Sequence, residues 1–234
     1  SRFSISVEDG GAKKLRRDDK PYAKVSDHIG VLPVVMVSPS DISLVSESGE
    51  ERRRFTNAVL SQMDHAYLTD IQQYNRLLLQ RNKILKSYRP DLSLLKVFDE
   101  RMTEYADSVY RARKTFVERL CPMVGKYHAL ISGGREEVSV RYVSDLDKAP
   151  LGSLLAASVQ KDMVLNYTTA GVQRDDLEFL LDGHPLRKCG SQGQQKSFLV
   201  ALTFSQYELM KQDYGHAPML LLDDVFDKPD YGRI

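Results

Sequence analysis

The chain has 234 residues, a formal net charge of +1, and 42% apolar against 28% charged side chains, the balance of an ordinary globular protein large enough to bury a real core. No stretch approaches the roughly 18 to 20 consecutive apolar residues that a membrane-spanning helix needs, and the first residues, SRFSISVEDGG, lack the apolar core of a secretory leader. Two cysteines, Cys121 and Cys189, and five histidines without ligand spacing argue against a disulfide framework or a structural zinc site and fit a reducing cytoplasm.

In chain order, Phe3 to Val7 alternates apolar and polar side chains before Asp9-Gly10-Gly11, the pattern of a half-buried strand entering a hairpin turn. Leu32 to Val37 is a continuous β-branched run stopped by Ser38-Pro39 and reads as a strand buried on both faces. Helical periodicity then takes over. Ser48 and Glu51 have capping-box spacing and open a helix from about residue 50 to Met63. Tyr67, Ile71, Tyr74, Leu78 and Leu85 define an amphipathic helix over 65–88, closed before Pro90. A third helix carries Leu95, Phe98, Met102, Tyr105, Val109, Ala112, Phe116 and Leu120, continues past a kink at Pro122 to Ile131, and ends at Gly133-Gly134.

Strand character returns over Val138 to Val143, followed by a helix over 151–164 and an extended stretch from Leu177 to Leu181. Last come GSQGQQKS (190–197), a helix from about Gln194 to Gln212 and the strand run Met219 to Leu222, which leads into Asp223-Asp224. The expected fold is α/β, with helices 50–132 inserted between two mixed strand-and-helix parts, 1–49 and 133–234.

Two motifs carry chemistry. Four apolar residues ending in Asp223-Asp224 form a Walker B pattern: a buried strand presents carboxylates at its C-terminal edge. There Asp223 would hold Mg2+ through water, and Asp224 would act on the attacking water as the catalytic carboxylate. GSQGQQKS differs by one letter from the phosphate-binding loop G-x-x-x-x-G-K-[ST]. Gln195 replaces the glycine whose missing Cβ lets backbone amides close on a phosphate, and HPLRK (184–188) intervenes between strand and loop. Ser191-Gln192-Gly193-Gln194-Gln195 instead fits the signature loop of ABC-type ATPases, where a hydroxyl, a permissive glycine and free helical amides face a γ-phosphate held by another subunit. Asp227 to Asp230 follows as a D-loop-like acidic segment. The plain alternatives are an N-capped helix and a solvated Asp-Asp turn.

Together these residues resemble the RecF family of bacterial recombination-repair ATPases, related to the structural-maintenance-of-chromosomes group. The narrower stretches of the resemblance are YNRLLLQRN (74–82), YTTAGVQRDDLEFLL (167–181) and SQGQQ (191–195). It implies an ABC-type ATPase lobe with a helical lobe, ATP and Mg2+ as cofactors, ATP-dependent homodimerisation, and work on gapped or junction DNA with recombination mediator proteins during RecA loading. It assigns Ser191, Gln192, Gly193 and Gln194 to ATP binding in trans, Asp230 to the D-loop and Asp41 to a Q-loop-like position that lacks the usual glutamine. No G-x-x-x-x-G-K-[ST] occurs, so the chain reads as a fragment without ATPase activity of its own; further departures are Gln173 where histidine is expected and Pro229 in the D-loop. Basic side chains of the helical segment are DNA-contact candidates: Arg52, Arg53, Arg54, Arg76, Arg81, Lys83 and Lys86. Their plain alternative is a solvated helix face with local pairs such as Arg54 with Glu50 or Glu51. Rival functions are a non-enzymatic helical interaction module on a degenerate ABC fold, or another ABC-class ATPase subunit.

Overall fold

The computed structural model describes residues 2–7 and 13–223. β1 (Phe3–Val7), β2 (Lys13–Arg17) and β3 (Lys20–Pro21) form an antiparallel meander in which Phe3 faces Arg17 and Ser6 faces Lys14. The hairpin pairing expected from Phe3 to Val7 is present, but the expected half-burial is corrected: Ile5 and Val7 are exposed, because no described element covers them. The second strand, the basic run KKLRR, carries no apolar alternation that would announce it. β4 (Val34–Val37) pairs in parallel with β8 (Met219–Leu222), Val34 opposite Met219 and Val37 opposite Leu222. Two strands so far apart in sequence can pair in parallel because the whole helical segment serves as their crossover.

Between them lie short α1 (Ser43–Ser46), then α2 (Gly49–Met63), α3 (His65–Leu85) and α4 (Leu92–Ser132). Asp64 caps α3 through the amide of Ala66, and Asp91 caps α4 through the amides of Ser93 and Leu94. Ser48 does sit at the N-cap of α2, but its side chain makes no capping bond, so the capping box expected there does not form. α4 runs through Pro122 as one element, and Gly133, at φ 69°, ends it in the left-handed conformation glycine tolerates. β5 (Val138–Val143), β6 (Asp176–Leu181) and β7 (His184–Pro185) make a second antiparallel sheet, interrupted by α5 (Leu151–Leu165). α6 (Leu186–Cys189) is one turn, and α7 (Gln192–Tyr214) returns to β8.

One continuous buried cluster runs from Val35 and Val37 through Tyr74, Met102 and Leu120 to Phe179, Phe198 and Met210. Phe179 and Phe198 join β6 to α7 with ring centroids 4.8 Å apart, and Tyr127 stacks on Phe204 at 5.8 Å to join α4 to α7. The expectation of a β4 buried on both faces is corrected. Val35 and Val37 are buried, but Met36 is 60% exposed, and Met219, Leu221 and Leu222 of β8 are exposed with it. The described sheet has two strands and is covered on one face only.

Candidate functional site

α7 begins at the surface. Ser191 is its N-cap: Ser191 Oγ accepts from the Gln194 amide at 3.3 Å, and Gln194 Oε1 accepts from the Ser191 amide at 2.7 Å. This reciprocal capping box uses one lone pair of the hydroxyl and leaves its proton free to donate. The amides of Gln192 and Gly193 are first-turn donors of a 23-residue helix with no intrahelical acceptor, and both residues are exposed. A Cβ at Gly193 would meet only Ser191 Oγ, at 3.9 Å, so an approaching group finds open space there. Free amides, a free hydroxyl proton and the positive end of the helix dipole suit an oxyanion such as a terminal phosphate.

Gln195 turns back, donating from Nε2 to the Gly190 carbonyl at 3.0 Å. That contact fills the place where a phosphate-binding loop would wrap its ligand, and Lys196 lies exposed on the helix. Gln194 also donates to Glu136 Oε1 at 2.8 Å, so the start of α7 is tied to the loop that follows α4.

Asp223 follows directly on β8, its amide donating to the Val37 carbonyl at 3.0 Å, which places it at the C-terminal edge of the parallel pair. Its side chain is exposed. Beyond β4, Asp41 Oδ2 accepts from the Ser38 amide at 2.7 Å and from Ser38 Oγ at 3.3 Å. Asp41 therefore holds the Ser38–Ile42 turn, and it lines a pocket of about 220 Å3 with Met36, Phe55 and Leu202. Asp224 and Asp230 lie outside the described residues. Among the described residues no three His, Cys, Asp or Glu side chains converge to hold a metal. Asp223 fits Mg2+ only as one carboxylate beside phosphate and water ligands.

The basic candidates separate sharply. Arg52 is buried, with Nε and Nη2 forked onto the two carboxylate oxygens of Asp176 at 2.8 and 2.9 Å and Nη1 on the Leu44 and Glu47 carbonyls. Arg81 is fully buried against Asp99 at 2.6 Å and Asp162 at 2.7 Å. Both guanidiniums are committed inside the fold, so both residues are structural, which corrects their expected part in DNA contact. Arg53 donates to the Asp175 carbonyl at 2.9 Å; partial burial lowers its pKa, opposed by Asp176 and reinforced by Arg113 and Arg174. Arg54 pairs with Glu50 and Glu51, the local arrangement expected of a solvated face. Arg76, Lys83 and Lys86 are exposed on α3 or at its end.

Sequence reasoning missed the polar centre around Arg113. It donates to Val172 O and Asp175 Oδ2, both at 2.7 Å, to Tyr67 Oη at 3.1 Å and to Asn57 Oδ1 at 2.9 Å. Tyr142 also donates to Asp175, whose carboxyl burial pushes above the usual range against the pull of Arg113. The signal was the RDD run at 174–176, whose two aspartates each hold a distant arginine. Gln173, which stands where histidine was expected, accepts from Tyr74 and donates to the Ala170 carbonyl at 2.9 Å, closing the same loop.

No family model matches the chain. It is 42% identical over 98% of its length to the DNA replication and repair protein RecF of Flavobacterium johnsoniae, 43% over 95% to that of Parabacteroides distasonis, and 43% over 98% to that of Porphyromonas gingivalis. The chain spans 65%, 61% and 64% of the lengths of these relatives. Solved structures of the recombination mediator protein RecF in the RecFOR pathway, one with ATP and one described as RecF-ATPrS, superpose with TM-scores of 0.90 at 28% identity. They cover 99% and 97% of this chain, which in turn covers 65% and 64% of theirs.

Proposed function

We propose, starting from its 42–43% identity to RecF proteins over nearly its whole length, that this chain forms the signature-bearing part of a DNA replication and repair ATPase. In this reading residues 1–49 and 133–234 belong to an ABC-type ATPase lobe and 50–132 to its helical lobe. The start of α7 closes over ATP held by a second subunit. The observation that carries the reading is the exposed cap: Ser191 and Gly193 offer a hydroxyl proton and free amides to an oxyanion, while Gln195 blocks the use of the same loop as a phosphate cradle.

Bound ATP would supply the γ-phosphate, and Mg2+ would neutralise charge between its phosphates. Ser191 Oγ and the Gln192 and Gly193 amides would bind a phosphate oxygen and exclude water from it. Asp223 would hold a metal-bound water, with Asp224 as the carboxylate that orients the attacking water and Asp230 in the D-loop. Asp41 would line the opposite edge. DNA, in gapped or junction form, would be the partner of the dimer, working beside recombination mediators in the cytoplasm. Among the described residues no helix is long and apolar enough to cross a membrane.

The test mixes this chain with the RecF protein whose ATP complex has been solved and follows association by sedimentation. Association that needs ATP and is lost in Ser191→Arg and Gly193→Glu is expected. Both positions are exposed, so neither substitution enters the core, and circular dichroism checks that each variant is folded. Association that ignores ATP, or survives both substitutions, would sink the reading.

A further inference from the structure

Charge is distributed unevenly along this nearly neutral chain. Residues 1–24 carry seven basic side chains against four acidic ones, net +3, while the whole chain is +1, so the remainder is net negative. The basic excess sits on the β1–β2–β3 sheet and its rim: Lys13, Lys14, Arg16 and Arg17 lie in β2, with Arg2, Lys20 and Lys24 around it. Register sorts the faces. Ser4 is opposite Arg16 and Ser6 opposite Lys14, so these four side chains share one face, and all four are exposed. Phe3, Ile5 and Leu15 occupy the other face, where Arg17 lies 5.8 Å from the centre of the Phe3 ring.

This face is built like a phosphate-binding surface. Two long cations two residues apart on one strand lie about 7 Å from each other, and each is flanked across the strand pair by a serine hydroxyl able to donate. On the β3 side Arg16 is flanked by Pro21, the one apolar neighbour that the described register puts on this face. Among the described residues the Arg16 guanidinium makes no hydrogen bond or ion pair, unlike those of Arg52 and Arg81, whose charges are consumed inside the fold. At the turn that closes β2, Asp18 accepts from the Arg2 amide at 2.7 Å.

We propose that the Ser4–Ser6–Lys14–Arg16 face binds the phosphate backbone of duplex DNA without reading its sequence. The proposal rests on the DNA-partner reading above and names the surface that carries it. Charge complementarity selects the occupant: a regular line of phosphodiesters meets paired cations and hydroxyls, with no side-chain amide placed to read base edges.

The test is anisotropy of a short fluorescein-labelled duplex titrated with the full chain between about 50 and 200 mM KCl. Lys14→Ala/Arg16→Ala should weaken binding about tenfold at the lowest salt. It should also flatten the slope of log affinity against log salt by about 1.8, since each phosphate contact contributes about 0.9. Arg16→Ala alone should flatten it by about half as much, and Arg16→Lys should restore most of the affinity. Unchanged melting curves identify these as folded proteins. If the double variant binds like the original while Lys83→Ala/Lys86→Ala loses affinity, this proposal falls and the DNA reading stands. If the unaltered chain binds no duplex even at the lowest salt, both fall. Binding to phosphatidylserine vesicles at salt where duplex is not bound would identify an acidic lipid surface as the occupant and overturn the proposal.

Discussion

Arg81→Met leaves a carboxylate stranded inside the protein. The guanidinium of Arg81, fully buried, sits 2.6 Å from Asp99 and 2.7 Å from Asp162, and Asp162 is itself fully buried. The remaining donors to Asp162 are Ser158 Oγ at 3.3 Å, Thr169 Oγ1 at 2.6 Å and the Thr169 amide at 2.9 Å, all neutral. Methionine fills most of the space but supplies no charge, so the cost is that of a buried ion without its partner, about 3 to 5 kcal/mol. With a urea slope of about 3 kcal/mol per molar, the unfolding midpoint should fall by roughly 1 to 1.7 M. Asp162→Asn keeps the acceptor for Thr169 while removing the charge, so Arg81→Met/Asp162→Asn should be more stable than Arg81→Met alone. Urea titration followed by circular dichroism measures all three variants. A loss under about 1 kcal/mol for Arg81→Met, or a double variant no better than the single, would refute the internal-pair account and return Arg81 to the surface candidates.

Gly171 has φ 123°, and a Cβ there would collide with the Tyr74 hydroxyl and lie 2.7 Å from Gln173 Oε1. Gly171→Ala should therefore lose about 1 to 3 kcal/mol in the same urea assay, and a neutral result would mean the 170–174 loop repacks freely. His128 is fully buried with neither ring nitrogen hydrogen-bonded, and burial lowers its pKa from 6.5 against the weaker opposing charges of Glu136 and Asp182. Only the unfolded chain then takes up this proton as pH falls below about 6.5, so stability should decline from neutral towards acid, with a slope of at most about 1.4 kcal/mol per pH unit. His128→Phe should flatten that decline, and an unchanged pH profile would count against it. The chain alone should show no Mg-ATP turnover above background in a phosphate-release assay, since its one P-loop-like stretch is a capped helix start. A measurable rate abolished by Asp224→Asn would contradict this.

The helices were legible because period and punctuation agreed. Gly133 ends α4 as expected, and Tyr67, Ile71, Tyr74 and Leu85 of α3 are buried as their spacing required. The capped start of α7 was legible for a local reason too: Ser191 and Gln194 have capping-box spacing, and the box forms. What failed depended on distant partners. Arg52 and Arg81 look like surface cations from their neighbours, and the carboxylates of Asp176 and Asp162 that help draw them inside lie more than 80 residues away. β2 was missed because KKLRR is defined by pairing with β1 rather than by its own apolar alternation. Val34 to Val37 was over-read because an apolar run shows that a strand can be covered on both faces, while among the described residues nothing covers Met36 on the outward face of this one.

α4 has a mechanical consequence. Its 41 residues make a rod of about 60 Å, at 1.5 Å per residue. Near one end Asp99 clasps Arg81 of α3; near the other, Arg119 forks onto Asp213 at 2.5 and 3.0 Å and Tyr127 stacks on Phe204, both in α7. A tilt of only about 3° about one end sweeps the other through about 3 Å, roughly the length of a hydrogen bond. Whatever presses on the loop between α3 and α4 thus has a stiff lever arm onto α7, the helix that presents Ser191.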